Sequence, residues 1–421
     1  MASLVDYEDS DSETDQDLQG NGDEALIISS SSSSSSRVSA AQSSSSGSVK
    51  RGHLQASAVR PYVPKRQRLT ASAAAQTEEP DRSGSAGSLL LSEGSERVRQ
   101  CLDRRQSRVQ LPTRMQSRVE AHQGPVNTLR WSPVDHLSHL LLTASMDRTF
   151  KVWDGAGGGR CLHTYSAHRG SVRDADWLPC GRRLLSGSFD GSAAVTDVET
   201  GKTISRVENG FKVCCVAPRP SDPDVFLCGG FSPEVRAWDA RCCKTLRVYR
   251  AAVQQTLAVL FLSGGRELVS SSDAVSRDSA DRTLIAWDYE TTARLSNQIF
   301  HERYTCPCLA LHPLESSFVA QTNGDYIALF STQRPYRINK RRRYEGHKVE
   351  GFAVHCGFSA DGSVLVSGSS TGSVHFYDFQ SSRTLSTLQA HQHACVCAAM
   401  HPIIPGLTAT ADWTGEMKIW S

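Results

Sequence analysis

Seven segments of this chain end alike: KVWD (Lys151–Asp154), AVTD (Ala194–Asp197), RAWD (Arg236–Asp239), IAWD (Ile285–Asp288), ALFS (Ala328–Ser331), HFYD (His375–Asp378) and KIWS (Lys418–Ser421). Each has an aromatic residue, once a threonine, before an aspartate or a serine. Their third residues are 43, 42, 49, 43, 47 and 43 residues apart. Short apolar runs separated by turn-forming sequences lie between them, which predicts several short strands in each unit. A period of this length indicates a repeat architecture.

A small residue followed by a histidine precedes four of the repeats. The pairs are Ala121-His122, Ala167-His168, Gly346-His347 and Ala390-His391. This pattern, with an aromatic residue and aspartate near the end of each unit, resembles the WD-repeat family of β-propellers. Residues 111–421 provide 311 residues for seven such units. The resemblance therefore implies an all-β, seven-bladed WD-repeat β-propeller over residues 111–421.

The two ends of this repeat region complement each other. The last repeat reaches only the third strand of its blade, Met417–Trp420. In the second repeat an outer strand, Cys161–Tyr165, precedes the histidine. By analogy we expect residues 115–120, just before His122, to supply the outer strand of the seventh blade. That pairing would close the ring and remove an open sheet edge.

The first 110 residues differ in composition from the rest. Residues 1–36 contain nine acidic residues and no lysine or arginine, and serine tracts follow at 29–36 and 43–46. Residues 37–110 contain 13 basic and 6 acidic residues. Apolar residues are sparse throughout, so burial cannot offset the chain entropy lost on folding. We predict a mostly disordered tail over 1–110, first acidic and serine-rich, then basic.

Composition also argues against several classes of protein. The longest apolar runs are far shorter than the roughly 20 residues of a membrane-spanning helix. The acidic, polar start does not resemble a signal peptide. The 13 cysteines form no CxxC pair, which argues against a disulfide framework and a structural zinc site. We expect reduced cysteines in an intracellular core, and no metal, cofactor or small-molecule substrate.

Histidine, serine and aspartate occur together in the first repeat and have two interpretations. One is a hydrolytic triad. The other is a structural tetrad of histidine, serine or threonine, aspartate and tryptophan, which the resemblance to WD repeats implies. The elements recur from repeat to repeat, whereas a catalytic site would be unique, so we interpret them as structural. The residues assigned by spacing are His122, Ser145, Asp147, Trp153, His168, Asp190, Asp281, Trp287, His347, His391 and Trp420.

Only the first repeat keeps the whole set. The second has Thr196 in place of tryptophan, and the sixth and seventh have Thr371 and Thr414 at the aspartate position. Ser232 and Gly324 stand at that position in the third and fifth repeats. No nucleotide-binding glycine loop, HExxH or GxSxG motif occurs. The chain is therefore predicted not to be an enzyme.

Four other features are candidates for function. The basic segment Lys340, Arg341, Arg342 and Arg343 could contact RNA phosphate or an acidic partner. Trp238, Asp239 and Arg241 form a WDAR element that resembles the motif by which substrate receptors dock on the cullin-4 ubiquitin ligase. Lys65, Arg66 and Arg68 form a basic cluster suited to nuclear import. An insertion at residues 271–280 lengthens one loop of the fourth repeat.

A narrower resemblance rests on longer stretches. RPYVPKRQR (60–68), RINKRRRYEGHKVEGFAV (337–354), SNQIFHERYTCPCLALHP (296–313) and ADWTGEMKIW (411–420) resemble the splicing-scaffold family of pre-mRNA-processing factor 17. That resemblance implies a non-catalytic protein-interaction scaffold in or near the spliceosome, located in the nucleus, with the cytoplasm as the alternative. Its partners would be proteins, and contact with RNA would be indirect. The alternative function is a substrate receptor for a cullin-4 type ligase.

Overall fold

The computed structural model describes residues 95–103, 109–273, 283–296, 299–302 and 304–421. These residues form one short α-helix, α1 (Glu96–Asp103), two three-residue 3-10 helices, and 28 strands arranged in seven four-stranded antiparallel sheets. Each sheet is one blade, and in six of them the four strands pair in chain order. No helix in the described ranges has the length and apolar character needed to cross a membrane. The predicted seven-bladed β-propeller is confirmed.

The first three blades follow one another along the chain. Blade one contains β2 (Val126–Trp131), β3 (Leu140–Ser145), β4 (Phe150–Asp154) and β5 (Arg160–Tyr165). Blade two contains β6 (Val172–Trp177), β7 (Arg183–Ser188), β8 (Ser192–Asp197) and β9 (Thr203–Glu208). Blade three contains β10 (Val213–Arg219), β11 (Asp222–Gly230), β12 (Glu234–Asp239) and β13 (Lys244–Arg250).

Blades four to six have the same order. Blade four contains β14 (Thr256–Phe261), β15 (Glu267–Ser272), β16 (Leu284–Asp288) and β17 (Arg294–Ser296). Blade five contains β18 (Cys308–Leu311), β19 (Ser317–Gln321), β20 (Tyr326–Ser331) and β21 (Ile338–Glu345). Blade six contains β22 (Cys356–Phe358), β23 (Val364–Ser367), β24 (Ser373–Asp378) and β25 (Thr384–Gln389).

Blade seven joins the two ends of the repeat region. Its strands are β26 (Cys395–Met400), β27 (Thr408–Asp412), β28 (Glu416–Trp420) and β1 (Met115–Glu120), and β1 pairs antiparallel with β28. The first strands of successive blades contact each other all round, including β26 with β2. The expectation that residues 115–120 complete the last blade is confirmed, and the sheet ring is closed.

The apolar core lies between neighbouring blades. Between blades three and four, for example, Tyr249, Phe261, Trp287 and Tyr289 are buried in one cluster. Burying large apolar side chains of this kind supplies most of the stabilisation of such a fold. All thirteen cysteines are free thiols, and seven of them are buried. Several of the buried cysteines, including Cys228 and Cys397, belong to these clusters.

Helix α1 lies inside the segment that we predicted to be mostly disordered, and it is an ordered element that the composition did not indicate. Val98 on α1 is only 1% exposed and packs with Trp131, Ala156 and Ile404, and Cys101 contacts the same cluster. Val98 and Cys101 are three residues apart and therefore share one helical face. Composition did not predict this helix, because two apolar residues on one face of an eight-residue helix hardly change the average composition of a 110-residue segment.

Candidate functional site

Blade one contains a continuous hydrogen-bonded network in its interior. His122 Nδ1 lies 2.8 Å from Asp147 Oδ2, and His122 Nε2 lies 2.7 Å from Thr143 Oγ1. The indole N–H of Trp153 donates to the same Thr143 oxygen at 2.8 Å. The network ties the connection before β2 to β3, to β4 and to the turn between them. It is the structural tetrad that the sequence predicted, with one member changed.

The changed member is the hydroxyl. We assigned Ser145, but its Oγ donates to the backbone oxygen of Gly124 at 3.2 Å and accepts from the backbone N–H of Asp147. Thr143 takes its place in the network. The two side chains are two residues apart on one strand, so they point to the same face. Ser145 therefore hydrogen-bonds Gly124 rather than His122, and it is not the hydroxyl member of the network.

Burial and hydrogen bonding set the charges of this network. Burial lowers the pKa of His122 despite the nearby carboxylate. Burial alone would raise the pKa of Asp147, but hydrogen bonds from His122 and Thr149 outweigh it and hold that pKa well below its ordinary value. A neutral imidazole can then donate from Nδ1 to the Asp147 carboxylate and accept the Thr143 proton at Nε2. Every polar atom of the network is thus used internally.

Blade two repeats the arrangement without the tryptophan. His168 bonds Asp190 at 3.2 Å through Nδ1 and Ser186 at 2.8 Å through Nε2. Thr196 stands at the tryptophan position, and its buried hydroxyl has no hydrogen-bond partner among the described residues. Arg206 pairs with Asp190 from the outer strand β9. The assignments of His168 and Asp190 agree with these contacts.

Blade seven uses two acids in place of one. His391 Nδ1 lies 3.0 Å from Glu416 Oε2 and 3.5 Å from Asp412 Oδ2. His391 Nε2 and Trp420 Nε1 both bond Thr410, at 2.8 and 3.0 Å. Thr414 was identified as a lost aspartate, but Asp412 and Glu416 supply the carboxylates from either side of it. Sequence spacing missed them because neither occupies the expected turn position.

The same three groups are the one set of metal-type donors gathered within the described ranges. Donor atoms of His391, Asp412 and Glu416 lie within 4.8 Å of one another. However, Arg118 and Lys418 both form ion pairs with Glu416. Hydrogen bonds from His391 and Thr414 hold the pKa of Asp412 at about 2, although burial would raise it. These contacts account for the donor set as a structural network with its own counterions.

Two further blades keep a tryptophan anchor. Trp287 donates to Ser270 at 2.9 Å in blade four. Asp281, the assigned acid of that blade, lies outside the described residues. In blade three Trp238 donates to Asn209 Oδ1 at 2.8 Å. Asn209 stands four residues before β10, as His122 stands four residues before β2, and that offset is a signal that the sequence analysis overlooked.

Blades five and six replace the tryptophan with other rings. His347 Nδ1 bonds the Tyr377 hydroxyl at 2.9 Å, and Nε2 lies 2.6 Å from the Gln321 side-chain amide. Burial lowers the pKa of His347 to about 4. In blade five Phe330 stacks on Phe318, with ring centroids 5.1 Å apart. His347 therefore links two neighbouring blades, which differs from the role that spacing assigned to it.

The WDAR element comprises the last two residues of β12 and the first two residues of the turn that leads to β13. Trp238 is buried, and Asp239 accepts hydrogen bonds from Arg241 Nε at 3.0 Å and Nη2 at 2.7 Å. These bonds hold the pKa of Asp239 below its ordinary value. The Arg241 side chain is 60% exposed. A partner that binds the exposed guanidinium would therefore share it with Asp239, which accepts hydrogen bonds from Nε and Nη2.

The basic segment lies on β21, the outer strand of blade five. Arg343 pairs with Glu302 and Arg342 bonds Gln380 at 3.0 Å. Lys340 and Arg341 are exposed and form no ion pair with a described residue. A groove of about 620 Å³ runs beside them. Of the four cations, the structure thus leaves Lys340 and Arg341 available to a partner.

Several assigned features lie partly or wholly outside the described residues. They are the basic cluster Lys65, Arg66 and Arg68 and most of the insertion of the fourth repeat, residues 274–280. Within the described part, a central channel of about 620 Å³ runs between the first strands of the blades. Arg130, paired with Asp174 and Asp176, lies on its wall.

Comparison with known proteins identifies a matching family model and several similar proteins. The family model of the WD domain, G-beta repeat, matches residues 113–154, 159–197 and 338–378. The chain is 51% identical over 326 residues to WD repeat-containing protein 25 of Mus musculus, covering 77% of this chain and 61% of that protein. It is 29% identical over 301 residues to pre-mRNA-processing factor 17 of Homo sapiens, covering 71% of this chain and 50% of that protein.

A more distant relative extends the series. Pre-mRNA-processing factor 17 of Saccharomyces cerevisiae is 25% identical over 285 residues, which is 67% of this chain and 61% of that protein. The chain thus spans between half and two thirds of the length of these curated relatives. The similarity confirms the resemblance drawn from the sequence stretches. The chain is therefore a seven-bladed β-propeller with segments that match the WD-domain repeat, and it is similar to WD repeat-containing protein 25 and, at lower identity, to pre-mRNA-processing factor 17.

Proposed function

We propose that this propeller is a non-catalytic docking body for proteins of the pre-mRNA splicing machinery in the nucleus. The observation that carries the proposal is the similarity to pre-mRNA-processing factor 17, which extends over 71% of this chain. The name of that relative assigns it to pre-mRNA processing. A closed ring of seven sheets provides a rigid body with two faces and a rim for several partners.

The internal use of the polar groups supports a role without catalysis. A catalytic histidine or serine needs a hydrogen bond to its reaction partner and access to substrate. The side chains of His122, His168 and His391 are fully buried and bonded on both ring nitrogens. This geometry favours a structural role for the three histidines, in which they stabilise the blades.

Affinity purification from nuclear extract tests the proposal. Tagged full-length protein should recover spliceosomal proteins, with small nuclear RNAs retained through those proteins. Treating the extract with ribonuclease should leave direct protein partners bound. Recovery of neither spliceosomal proteins nor their RNAs would contradict the proposal.

A second candidate is a substrate receptor for a cullin-4 type ligase, favoured by the exposed guanidinium of Arg241 beside Asp239. Arg241→Ala should abolish recovery of cullin-4 components and leave spliceosomal recovery intact. Arg250→Ala is the matched control, since Arg250 is also exposed, also paired with an acid and also in blade three. Unchanged recovery of cullin-4 components with Arg241→Ala would rule out this mode of docking.

Two basic segments have proposed roles in the same function. Lys340 and Arg341 would contact RNA phosphate or an acidic partner, and crosslinking to RNA that weakens with salt would distinguish the first. Absence of such crosslinks would rule out contact with RNA and favour contact with an acidic protein. Lys65, Arg66 and Arg68 would direct nuclear import. Replacing these three with alanine should move a fluorescent fusion to the cytoplasm, and an unchanged nuclear signal would refute that role.

A further inference from the structure

One face of the ring gathers exposed apolar and basic side chains in blades one to three. The turns between second and third strands, and the connections from each outer strand to the next blade, lie on this face because antiparallel strands alternate in direction. We call it the histidine face, since His122, His168 and His391 lie in those connections. The basic aromatic surface on it comprises Met146, Arg148, Arg169, Arg173, Phe189, Lys212 and Phe231.

An aromatic pair forms the centre of this surface. The rings of Phe189 and Phe231 meet edge to face with centroids 5.7 Å apart. Phe231 is 51% exposed, and Met146, in the turn between β3 and β4 of blade one, is 37% exposed. The backbone N–H of Phe231 donates to the oxygen of Lys212 at 3.0 Å, which fixes these two residues side by side. Grouped exposed apolar side chains on a folded protein mark an interaction site.

The cations around the pair have no acidic partners of their own. Arg148, Arg169, Arg173 and Lys212 form no ion pair with any residue in the described ranges, and three of them are exposed. The neighbouring Arg206 and Arg236 differ. They pair with acids on their own blades, Arg206 with Asp190 and Glu208, and Arg236 with Glu234. The surface therefore carries a local excess of uncompensated positive charge, which attracts an anionic partner.

Cations lie near both rings, with two of them near Phe189 and one near Phe231. Lys212 Nζ lies 5.7 Å from the Phe189 centroid and 5.9 Å from the Phe231 centroid, and Arg173 lies 5.6 Å from Phe189. A nucleobase stacking on Phe189 would have to displace those cations. Carboxylates can reach them without such displacement. The arrangement favours an acidic peptide over single-stranded RNA.

The surface also adjoins the mouth of the central channel. Phe189, Phe231, Arg173 and Cys214 line the channel where it opens on the histidine face. Deeper in the channel its wall is largely apolar and includes Val216 and Val259. An apolar side chain of a bound peptide could lie against Phe231 at this mouth, while flanking acids reach the cations. Such a combination gives both affinity and orientation.

We propose that the basic aromatic surface binds an acidic peptide segment of a partner protein, with an apolar side chain of that segment against Phe231. The inference rests on the proposed function as a docking body and identifies one of its contact sites and the chemistry of the partner. Binding buries the exposed phenylalanine and compensates four cations in one step.

Fluorescence anisotropy with the full-length protein tests the proposal. The probe is a short labelled peptide in which leucine and phenylalanine are flanked by aspartates and glutamates. It should bind, and binding should weaken as salt increases. Lys212→Glu and Phe231→Ser should each weaken it about tenfold or more, as expected for central contacts. Lys202→Glu is the matched control because Lys202 is exposed on the opposite face of blade two and forms no ion pair with a described residue.

Three outcomes would overturn the proposal. One is a lack of binding, and another is equal loss with Lys202→Glu and Lys212→Glu. The third is competition by oligouridylate at lower concentration than by the unlabelled peptide, which would identify the surface as an RNA site. Co-purification of spliceosomal proteins tests the docking function independently. If it succeeds while the peptide fails to bind, only this surface assignment is wrong.

Discussion

The hydroxyl of Thr143 connects two buried side chains in blade one. It accepts from Trp153 and bonds His122, so its removal leaves two polar atoms buried without partners. Thr143→Val keeps the shape and should lower the free energy of unfolding by about 1–3 kcal/mol. Urea denaturation measures the change.

Thr408→Val is the matched control for this substitution. Thr408 is also fully buried, but within the part of the chain that the structure describes its hydroxyl has no hydrogen-bond partner. Replacing an unpaired hydroxyl with a methyl group should be neutral or stabilising. Equal losses for the two variants would contradict the assignment of Thr143 to the network.

His401 makes the stability of the fold depend on pH. Burial lowers its pKa to about 3, and its Nδ1 accepts the backbone N–H groups of Ile403 and Ile404. An unfolded histidine has a pKa of about 6.5, so between these values the unfolded chain binds the proton. Stability should therefore fall as the pH is lowered from about 7 towards about 3.

A variant isolates that contribution. His401→Asn keeps an acceptor for the two N–H groups but does not titrate, so the melting temperature should fall less between pH 7 and pH 4. His136→Asn, at an exposed position, is the control. A pH profile of His401→Asn identical to that of the unmodified protein would show that His401 does not contribute.

The spacing of residues within the repeat predicts some members of the buried networks but not others. His122, Asp147 and Trp153 could be assigned because each has a fixed offset within the repeat. Thr143 could not be separated from Ser145, since both point to one face of β3 and only the three-dimensional distance to His122 decides between them. The spacing did not predict Asp412 and Glu416, because in blade seven two acids at other positions replace the single aspartate of the turn.

Among the elements, helix α1 is the clearest addition to the repeat pattern. It contacts blades one and seven through Val98, whose side chain is buried among Trp131, Ala156 and Ile404. Composition could not predict it because its apolar stripe is shorter than the window over which disorder is judged. The strands, by contrast, followed from the aromatic-aspartate segments, each of which ends the third strand of a blade.

Val98→Ala tests the docking of α1. Each buried CH₂ group contributes about 0.8 kcal/mol, so the substitution should lower the free energy of unfolding by about 1–2 kcal/mol. Leu102→Ala on the same helix is the control, since Leu102 is exposed. Equal and small effects in urea denaturation would indicate that α1 does not rest on the propeller.

At the scale of the whole molecule, closure of the ring is what unites seven small sheets. Each blade alone buries too little surface to be stable, and stacking around the ring supplies the missing core. Strand β1 completes blade seven, and the backbone N–H groups of Ala121 and His122 donate to Gly415 in the turn after β27. The proposed docking function requires this rigid ring, because the basic aromatic surface spans three blades.

Calorimetric unfolding of shortened chains tests ring closure most directly. The full chain and a chain beginning at residue 109, which keeps β1 and lacks α1, should each unfold in one cooperative transition. A chain beginning at His122, which lacks β1, should lose most of the transition enthalpy and its cooperativity. If the chain beginning at His122 melts with the same midpoint and enthalpy as the chain beginning at residue 109, the closed-ring account is contradicted.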